Sequence, residues 1–373
     1  MKWIFWLAAA LIGYSYLGYP VWLWLRSRWS PRPVHRGHEE LSVTAVMVVR
    51  NEEAALARKL ENLLSLDYRQ DRFDVVVVSD GSTDRTPAIL AEFEQSPRVR
   101  ALIKPERQGK ATGLNDAMQL VAGEVVLFTD ARQQIEHRAL RCLVENFADA
   151  EVGAASGQLM LGDPSTGEAV KGMGVYWHIE KKVRELESAS GSVVGATGAI
   201  YCARRRLCEP LPAGTILDDV LLPMQIVRKG ARLIFDSRAR AWDSPDLGQR
   251  PEFVRKVRTL NGNYQLLQLA PWLLSAKNPI RFEFISHKLL RLMVPFALLA
   301  TLMASLFLPQ PFYRAALAVQ IVLYGLSLAA IAGLRIGPLS QVADLARTFV
   351  VLNSAAVVAF INFVTGRKTS WVR

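Results

Sequence analysis

Cysteine and histidine are scarce in this chain of 373 residues, with three and five copies. Cys142, Cys202 and Cys208 have no CxxC spacing and no paired framework, which argues against a disulfide scaffold and a zinc ribbon and fits a reducing compartment. The histidines also lack metal-ligand spacing, so His137 and His178 are interpreted as surface or internally bonded side chains. No repeat or low-complexity tract stands out in the sequence.

Basic residues outnumber acidic ones, and the formal net charge is +11. Much of this charge lies beside apolar segments, as expected at a cytoplasmic membrane face. The residues concerned are Arg26, Arg28, Arg32, Arg36, Lys277, Arg281, Lys288 and Arg291. No recognition-helix or zinc pattern accompanies the charge, so nucleic acid is not expected as a partner.

Four apolar segments approach the ~20 residues that an α-helix needs to cross a bilayer. The first covers residues 3–25 and lacks a signal-peptide exit, so we expect a retained N-terminal transmembrane anchor over residues 1–26. The other three, 289–308, 312–334 and 348–364, predict a C-terminal membrane domain over 281–373. Between them, residues 40–280 are predicted to form a cytoplasmic domain of an integral protein of the bacterial-type inner membrane.

The polarity of the C-terminal tail conflicts with this topology. Three crossings from a cytoplasmic domain place the tail outside, yet it carries Arg367, Lys368 and Arg373. Either one segment is re-entrant or the charge rule fails here. An amphipathic segment at 261–275 and the SHKLLR segment, with His287 and Lys288, are predicted to lie at the membrane interface.

The central domain alternates strand-like and helix-like patterns. Apolar runs at 43–49, 73–79 and 123–129 predict strands, and the segments 52–66 and 87–94 predict helices. This alternation indicates an α/β fold with a mostly parallel sheet, in which ligands bind at the carboxyl ends of the strands. Polar residues follow each of these strands, beginning with Asn51, Asp80 and Asp130.

Six segments of the domain, in order, carry a resemblance to a known family. They are VMVVRNEE, VVVSDGSTD, QGKATGLNDAM, VLFTDAR, GATGAIYCARR and LDDVLLPMQIVRKG, spread over residues 43–265. Together they resemble family 2 of the inverting glycosyltransferases, which have a Rossmann-like GT-A fold. The resemblance implies a nucleotide-diphosphate sugar as donor, a UDP-sugar in the first instance, and a link to membrane polysaccharide synthases.

The resemblance also implies nucleotide-binding residues. Asp80 matches the position that contacts uracil and ribose, with Asn51 and Glu52 beside it; a turn that caps the next helix would also explain Asp80. Lys110 could reach a phosphate or be an ordinary surface lysine. Asp130 matches the first carboxylate of the DxD motif, which holds Mg²⁺ or Mn²⁺. Arg132 replaces the second carboxylate, so we expect it to contact the diphosphate or the acceptor.

Asp218 and Asp219 match the acidic pair of the family, whose second member is the general base. Adjacent carboxylates at a helix start are also ordinary caps. Arg255 and Arg258 match a motif that contacts the diphosphate and the acceptor, although Thr259 replaces its tryptophan, and a basic helix on lipid headgroups is the alternative.

The predicted function is inverting sugar transfer to a polysaccharide or glycan acceptor at the cytoplasmic membrane face. The alternatives are transfer of a single sugar to a membrane lipid and an inactive protein that binds nucleotide sugars. A transporter is not expected, because the apolar segments contain almost no ionisable residues.

Overall fold

The computed structural model describes residues 1–163, 168–169, 175–243, 252–334 and 337–367. Nine strands occur within these ranges: β1 Val43–Val49, β2 Phe73–Asp80, β3 Val99–Lys104, β4 Val125–Phe128, β5 Gln134–Ile135, β6 Val152–Asp163, β7 Glu168–Ala169, β8 Tyr201–Arg204 and β9 Arg232–Asp243. The longer helices are α1 Lys2–Trp29, α2 Leu56–Leu64, α3 Thr86–Phe93, α4 Lys110–Leu120, α5 Ala139–Val144, α6 Val175–Ser190, α7 Asp218–Arg228, α8 Glu252–Leu269, α9 Arg281–Phe307, α10 Pro311–Ile331 and α11 Ser340–Val364.

The strands form one sheet in the order β3-β2-β1-β4-β8-β6-β9-β5, with β7 paired to β6. The first half is parallel, as the alternating pattern predicts: Val46 of β1 is in register with Val76 of β2 and Phe128 of β4. The second half is mixed, because β8 runs antiparallel to both of its neighbours while β6 and β9 are parallel. All three predicted strands are present.

Valine-rich strands explain the core of the domain. Six of the seven residues of β1 are buried, and both of its faces are covered, which suits a central parallel strand. Apolar residues of α2 and α5 pack on one face of the sheet, and residues of α4 and α7 pack on the other. Helix α2 begins four residues later than the predicted start at residue 52, because residues 50–55 form a loop.

Among the residues that the structure describes, four helices are long and apolar enough to cross a membrane: α1, α9, α10 and α11. They cover most of each of the four apolar segments of the sequence, and they carry exposed apolar side chains such as Leu7, Val319 and Leu328. Such contiguous apolar surface is costly in water and is expected in lipid. The tail residues Lys368 and Arg373 lie outside the described residues, and Arg367 is exposed just after α11.

Two segments predicted to lie at the interface are partly packed into the protein. Trp272 lies against the core on the α7 side, with the Arg228 guanidinium 4.5 Å from its ring centre. His287 lies in a π-helical turn at the start of α9 and is buried. By contrast, His137 and His178 are exposed, as predicted. The three cysteines are unpaired, and Cys202 is buried.

Candidate active site

The carboxyl ends of β1, β2 and β4 meet at one edge of the sheet. Because these strands are parallel neighbours, the loops that begin at Arg50, Gly81 and Thr129 share that edge. Asp218 and Asp219 come from the first turn of α7, where the positive end of the helix dipole favours carboxylates. The fold therefore gathers side chains that are far apart in the sequence.

Asp80 is buried and accepts two backbone hydrogen bonds. Its Oδ1 receives the N–H of Gln108 at 2.7 Å, and its Oδ2 receives the N–H of Gly109 at 2.8 Å. Gly81 follows with φ of 64°, and a Cβ there would lie 2.6 Å from the backbone nitrogen of Arg107. Asp80 and Gly81 therefore hold the loop 106–109, which leads directly into Lys110 and α4.

Lys110 is the first residue of α4, and its ammonium lies between two carboxylates. Nζ is 2.9 Å from Asp130 Oδ1 and 3.1 Å from Asp218 Oδ2. Burial alone would lower the pKa of Lys110, but Asp130 and Asp218 raise it above its ordinary value. Lys110 is therefore a permanent cation that joins the strand end at Asp130 to the start of α7, not a solvated surface lysine.

Asp219 lies beside this ion pair and is held by backbone groups. Its Oδ2 accepts the Gly198 N–H at 3.2 Å, and its carbonyl accepts the Ala196 N–H at 2.7 Å. Burial and the neighbouring charge of Asp218 raise the pKa of Asp219 to about 6, although Lys110 acts in the opposite direction. A carboxylate with a pKa near neutrality is suited to take a proton from a substrate.

Asn51, Glu52 and Arg132 lie at the rim of the same edge. Asn51 is the one non-glycine residue of the described chain with positive φ, at 52°, and its Oδ1 accepts the Thr83 N–H at 2.8 Å. Arg132 Nε lies 3.4 Å from Glu52 Oε2. This ion pair connects the loop after β1 to the loop after β4. Arg132, which stands at the second carboxylate position of the DxD motif, is therefore paired with a carboxylate of the protein.

Arg255 and Arg258 lie on α8, which passes beside the loop that leads to Asp218. A Cβ at Gly262 would lie 2.6 Å from Leu217, and Gln265 accepts the Ile216 N–H at 2.9 Å. Arg255 is exposed and Arg258 is half-buried. Thr259, which stands where the motif has tryptophan, donates its hydroxyl to the Arg255 carbonyl at 3.0 Å. Its hydrogen bond therefore stays within α8.

A buried lysine, Lys59, and a buried tyrosine, Tyr201, lie near Asp130, and the sequence did not point to either of them. Lys59 donates to Thr129 Oγ1 at 2.8 Å and to the Gln133 carbonyl at 2.6 Å, and burial lowers its pKa to about 7 while Asp130 opposes the shift. Tyr201 stacks on Phe128 with ring centres 4.6 Å apart. The spacing of Lys59 with Leu56, Leu60 and Leu63 on α2 was the available signal.

A divalent cation at this site would have few protein ligands. Within the described residues, no three Asp, Glu, His or Cys side chains gather as a metal cage. Asp130 is nevertheless 42% exposed and offers hard carboxylate oxygens. This suits Mg²⁺ or Mn²⁺, which commonly bind through one or two carboxylates and take their other ligands from water and substrate phosphates.

Comparison with known proteins identifies the domain that carries these residues. The family model "Glycosyl transferase family 2" matches residues 44–210, which include Asn51, Asp80, Lys110 and Asp130. The chain contains a glycosyl transferase family 2 domain. The matched segment ends before Asp218 and Asp219, which the fold brings to the same cluster.

Relatives of this chain include two kinds of synthase. A β-monoglucosyldiacylglycerol synthase of Nostoc sp. is 27% identical over 190 residues, which cover 49% of this chain and 41% of the relative. A poly-β-1,6-N-acetyl-D-glucosamine synthase of Staphylococcus epidermidis is 20% identical over 63% of this chain and 58% of its own length. The alignments therefore span about half of these relatives.

A solved structure matches nearly the whole chain. A mannosyltransferase from Pyrobaculum calidifontis, in complex with GDP-Man and Mn²⁺, superposes with a TM-score of 0.73. The superposition covers 98% of this chain and 100% of that one, at 22% sequence identity. The likeness confirms the predicted fold, an α/β GT-A domain with apolar helices at both ends.

Proposed function

We propose that this protein is an inverting glycosyltransferase that uses a nucleotide-diphosphate sugar. The observation that carries the proposal is the cluster in which Lys110 joins Asp130 to Asp218 while the Gly198 amide holds Asp219 beside them. The cluster combines a family 2 nucleotide-sugar edge with a carboxylate whose pKa is about 6. These are the parts that sugar transfer with a general base requires.

In the proposed reaction, Asp219 is the general base. It takes the proton of the acceptor hydroxyl while the acceptor oxygen attacks the anomeric carbon, and the bond from that carbon to the diphosphate breaks on the opposite face. Asp218 keeps Lys110 in place beside it. Lys110 and Arg132 supply positive charge near the departing diphosphate. The Gly198 N–H keeps the Asp219 carboxylate oriented towards the acceptor.

We assign nucleotide binding to the loops after β1 and β2. Asp80 would order the loop 106–109 against the nucleotide, with Asn51 and Glu52 completing the edge. A cation bound at Asp130 would act as a Lewis acid on the diphosphate oxygens. A UDP-sugar is our first choice of donor. GDP-sugars belong in the same test, since the Pyrobaculum mannosyltransferase was solved with GDP-Man.

We propose a membrane lipid as the acceptor and a growing polysaccharide as the second candidate. Thr259 supplies no aromatic surface on which a terminal sugar could stack, and its hydroxyl is bonded to its own helix. Relatives at 26–27% identity are β-monoglucosyldiacylglycerol synthases. The polysaccharide alternative rests on the synthase of Staphylococcus epidermidis. Arg255 and Arg258 on α8 are assigned to the diphosphate and the acceptor in either case.

We place the domain of residues 40–280 on the cytoplasmic side of an inner membrane. Residues 1–26 form the N-terminal anchor and residues 281–373 the C-terminal membrane domain in this proposal. Arg26 and Arg28 in the last turn of α1 support this orientation, because basic residues concentrate on the cytoplasmic side.

The test is the product formed by membranes that contain the protein and a panel of radiolabelled UDP- and GDP-sugars. A product soluble in organic solvent indicates a lipid acceptor, and a product that grows in length indicates a polysaccharide. Membranes containing the Asp219→Asn variant are the matched control. If no donor gives label above that control, the chain is an inactive nucleotide-sugar binder and the proposal is wrong.

A further inference from the structure

A line of polar contacts connects α9, which begins the C-terminal membrane helices, to the amide that holds Asp219. It passes through His287, Glu180, Arg184 and Thr197 and ends at Gly198. The residues come from three separate segments: α9, α6 and the loop 195–198. Sequence reasoning missed the line, because Glu180 and His287 are 107 residues apart in the chain.

His287 lies between two glutamates of α6. Its Nδ1 is 2.7 Å from Glu187 Oε1, and its Nε2 is 3.0 Å from Glu180 Oε1. Tyr19 of α1 also donates its hydroxyl to Glu187, at 2.6 Å. Both ring nitrogens of His287 therefore face carboxylate oxygens at hydrogen-bond distance. Helices α1 and α9 are thereby both attached to α6.

Glu180 connects His287 to Arg184. Glu180 Oε2 lies 2.7 Å from Arg291, and Glu180 Oε1 lies 3.7 Å from Arg184 Nε, one helical turn away. Burial alone would raise the pKa of Glu180, but His287, Arg291 and Arg184 hold it well below its usual range. Glu180 is therefore ionised at neutral pH and restrains the Arg184 guanidinium.

Arg184 reaches the loop beside the proposed base. Its Nη1 donates to Thr197 Oγ1 at 2.6 Å, and the Thr197 N–H donates to Ser156 Oγ at 2.9 Å. The next residue, Gly198, donates its N–H to Asp219. Thr197 is thus fixed on two sides immediately before the amide that orients Asp219.

The chemistry of the line suggests a geometric role. Buried ion pairs contribute little net stability, because the desolvation of the charges offsets their attraction. Apolar contacts would dock α9 on α6 at least as well. Apolar contacts would not, however, extend to Thr197. A contact with its hydroxyl needs a long side chain with directional donors, such as the guanidinium of Arg184.

We propose that Arg184 is a positioning residue for sugar transfer, coupling the docking of α9 on α6 to the orientation of Asp219. The proposal rests on Asp219 being the base of the proposed reaction. When His287 and Glu180 hold Arg184, the loop 195–198 presents the Gly198 amide to the Asp219 carboxylate. When this hold is lost, the amide and the carboxylate lose their alignment. The catalytic centre is therefore complete only when α9 is docked on α6.

The first test measures the loop without catalysis. Hydrogen–deuterium exchange of residues 193–200 is compared among the full-length wild type, Arg184→Ala, His287→Ala and the control Lys182→Ala in detergent. Lys182 lies on the same helix with an exposed side chain. We expect faster exchange in Arg184→Ala and in His287→Ala, and no further increase when the two substitutions are combined. The Lys182→Ala control should exchange at wild-type rates, as should strand β2 in every variant. Wild-type exchange in Arg184→Ala would overturn the proposal.

The second test uses an isosteric pair at Thr197. Thr197→Val removes the acceptor of Arg184 at the same volume, and Thr197→Ser keeps it. We expect Thr197→Val to lower kcat about 10- to 100-fold, as misplacement of a catalytic group does, with donor KM changed by less than about threefold. Thr197→Ser should restore most of kcat.

The pH profile separates positioning from a general loss of folded protein. Loss of the Gly198 N–H removes a donor that favours the ionised carboxylate, so the apparent pKa of the rising limb should increase in Thr197→Val and Arg184→Ala. The other charged groups that face Asp219 are Asp218, Lys110, Asp130 and Lys288, and these substitutions leave them in place. A lower kcat with an unchanged profile means a purely structural role. If no donor supports transfer, the exchange result still decides the coupling.

Discussion

Lys110 and Asp218 form an ion pair of 3.1 Å that joins the first residue of α4 to the first residue of α7. The first belongs to the part of the chain matched by the family 2 model, and the second lies beyond it. The pair therefore ties the proposed nucleotide-sugar edge to the proposed base, and Lys110 is the cation that lies between Asp130 and Asp218.

Replacing Lys110 tests this dependence. Lys110→Met leaves Asp130 and Asp218 facing each other without the cation, and we expect a loss of about 1–3 kcal/mol of folding free energy for the unpaired charges. We also expect kcat/KM to fall at least about 100-fold, since positioned charges commonly contribute this much. Thermal unfolding in detergent and steady-state kinetics measure the two effects. Lys229→Met, far from the cluster, is the control; equal behaviour of the two variants would contradict the assignment.

The pKa of Asp219 predicts a pH dependence. The base must be ionised to accept a proton, and its folded-state pKa is raised to about 6. Activity should therefore rise with pH through about 6 and level off above it, with about half of the maximal kcat at that pH. The kcat–pH profile between pH 4.5 and 8.5 measures this. A flat profile over the whole range would show that no group with this pKa takes the proton.

Gly198 has little room for a side chain. A Cβ there would lie 3.1 Å from Asp219 Oδ2, which is tighter than an ordinary contact. We expect Gly198→Ala to displace the carboxylate and to lower kcat about 100-fold with little change in donor KM. Gly325→Ala is the matched control, because a Cβ at that helical position meets nothing within 4 Å. Wild-type kcat in Gly198→Ala would show that the carboxylate tolerates displacement.

Removal of divalent cations tests the role proposed for Asp130. Because this residue contributes the proposed protein ligand, most of the cation's other ligands would come from substrate and water, and EDTA should remove it readily. We expect activity to fall at least about 100-fold in EDTA and to return with Mn²⁺ or Mg²⁺ in excess. Full activity under chelation would mean that Lys110 and Arg132 serve the diphosphate without a metal.

The parts of the fold that the sequence predicted are those with strong local patterns. The valine-rich runs of β1 and β2 end in polar loops, and both strands lie within one residue of the predicted bounds. The four apolar segments likewise fall on α1, α9, α10 and α11. The antiparallel insertion of β8 between β4 and β6 was not predictable, because it depends on pairing between distant segments.

The same contrast between local patterns and distant contacts holds for the candidate site. Asp130 was identifiable because it follows an apolar strand, and Asp218 and Asp219 were identifiable because they precede an apolar helix and match the acidic pair of the resembled family. The structure brings all three together. The two hydrogen bonds of Asp80 to the loop 106–109 were not predictable, since the partners are backbone amides. The burial of Lys59 and of His287, which was predicted at the membrane interface, was not foreseen because lysine and histidine side chains are seldom fully buried. Their burial becomes evident only when their distant partners are placed.

The most direct measurement is the turnover of Asp219→Asn with the accepted nucleotide-sugar donor. The amide has the shape of the carboxylate and retains an oxygen for the Gly198 N–H, but it cannot take a proton, so kcat should fall by about 10²–10⁴. Thermal unfolding and donor binding should stay close to wild type. Turnover within about threefold of wild type would contradict the account, because the proton would then be taken by another group.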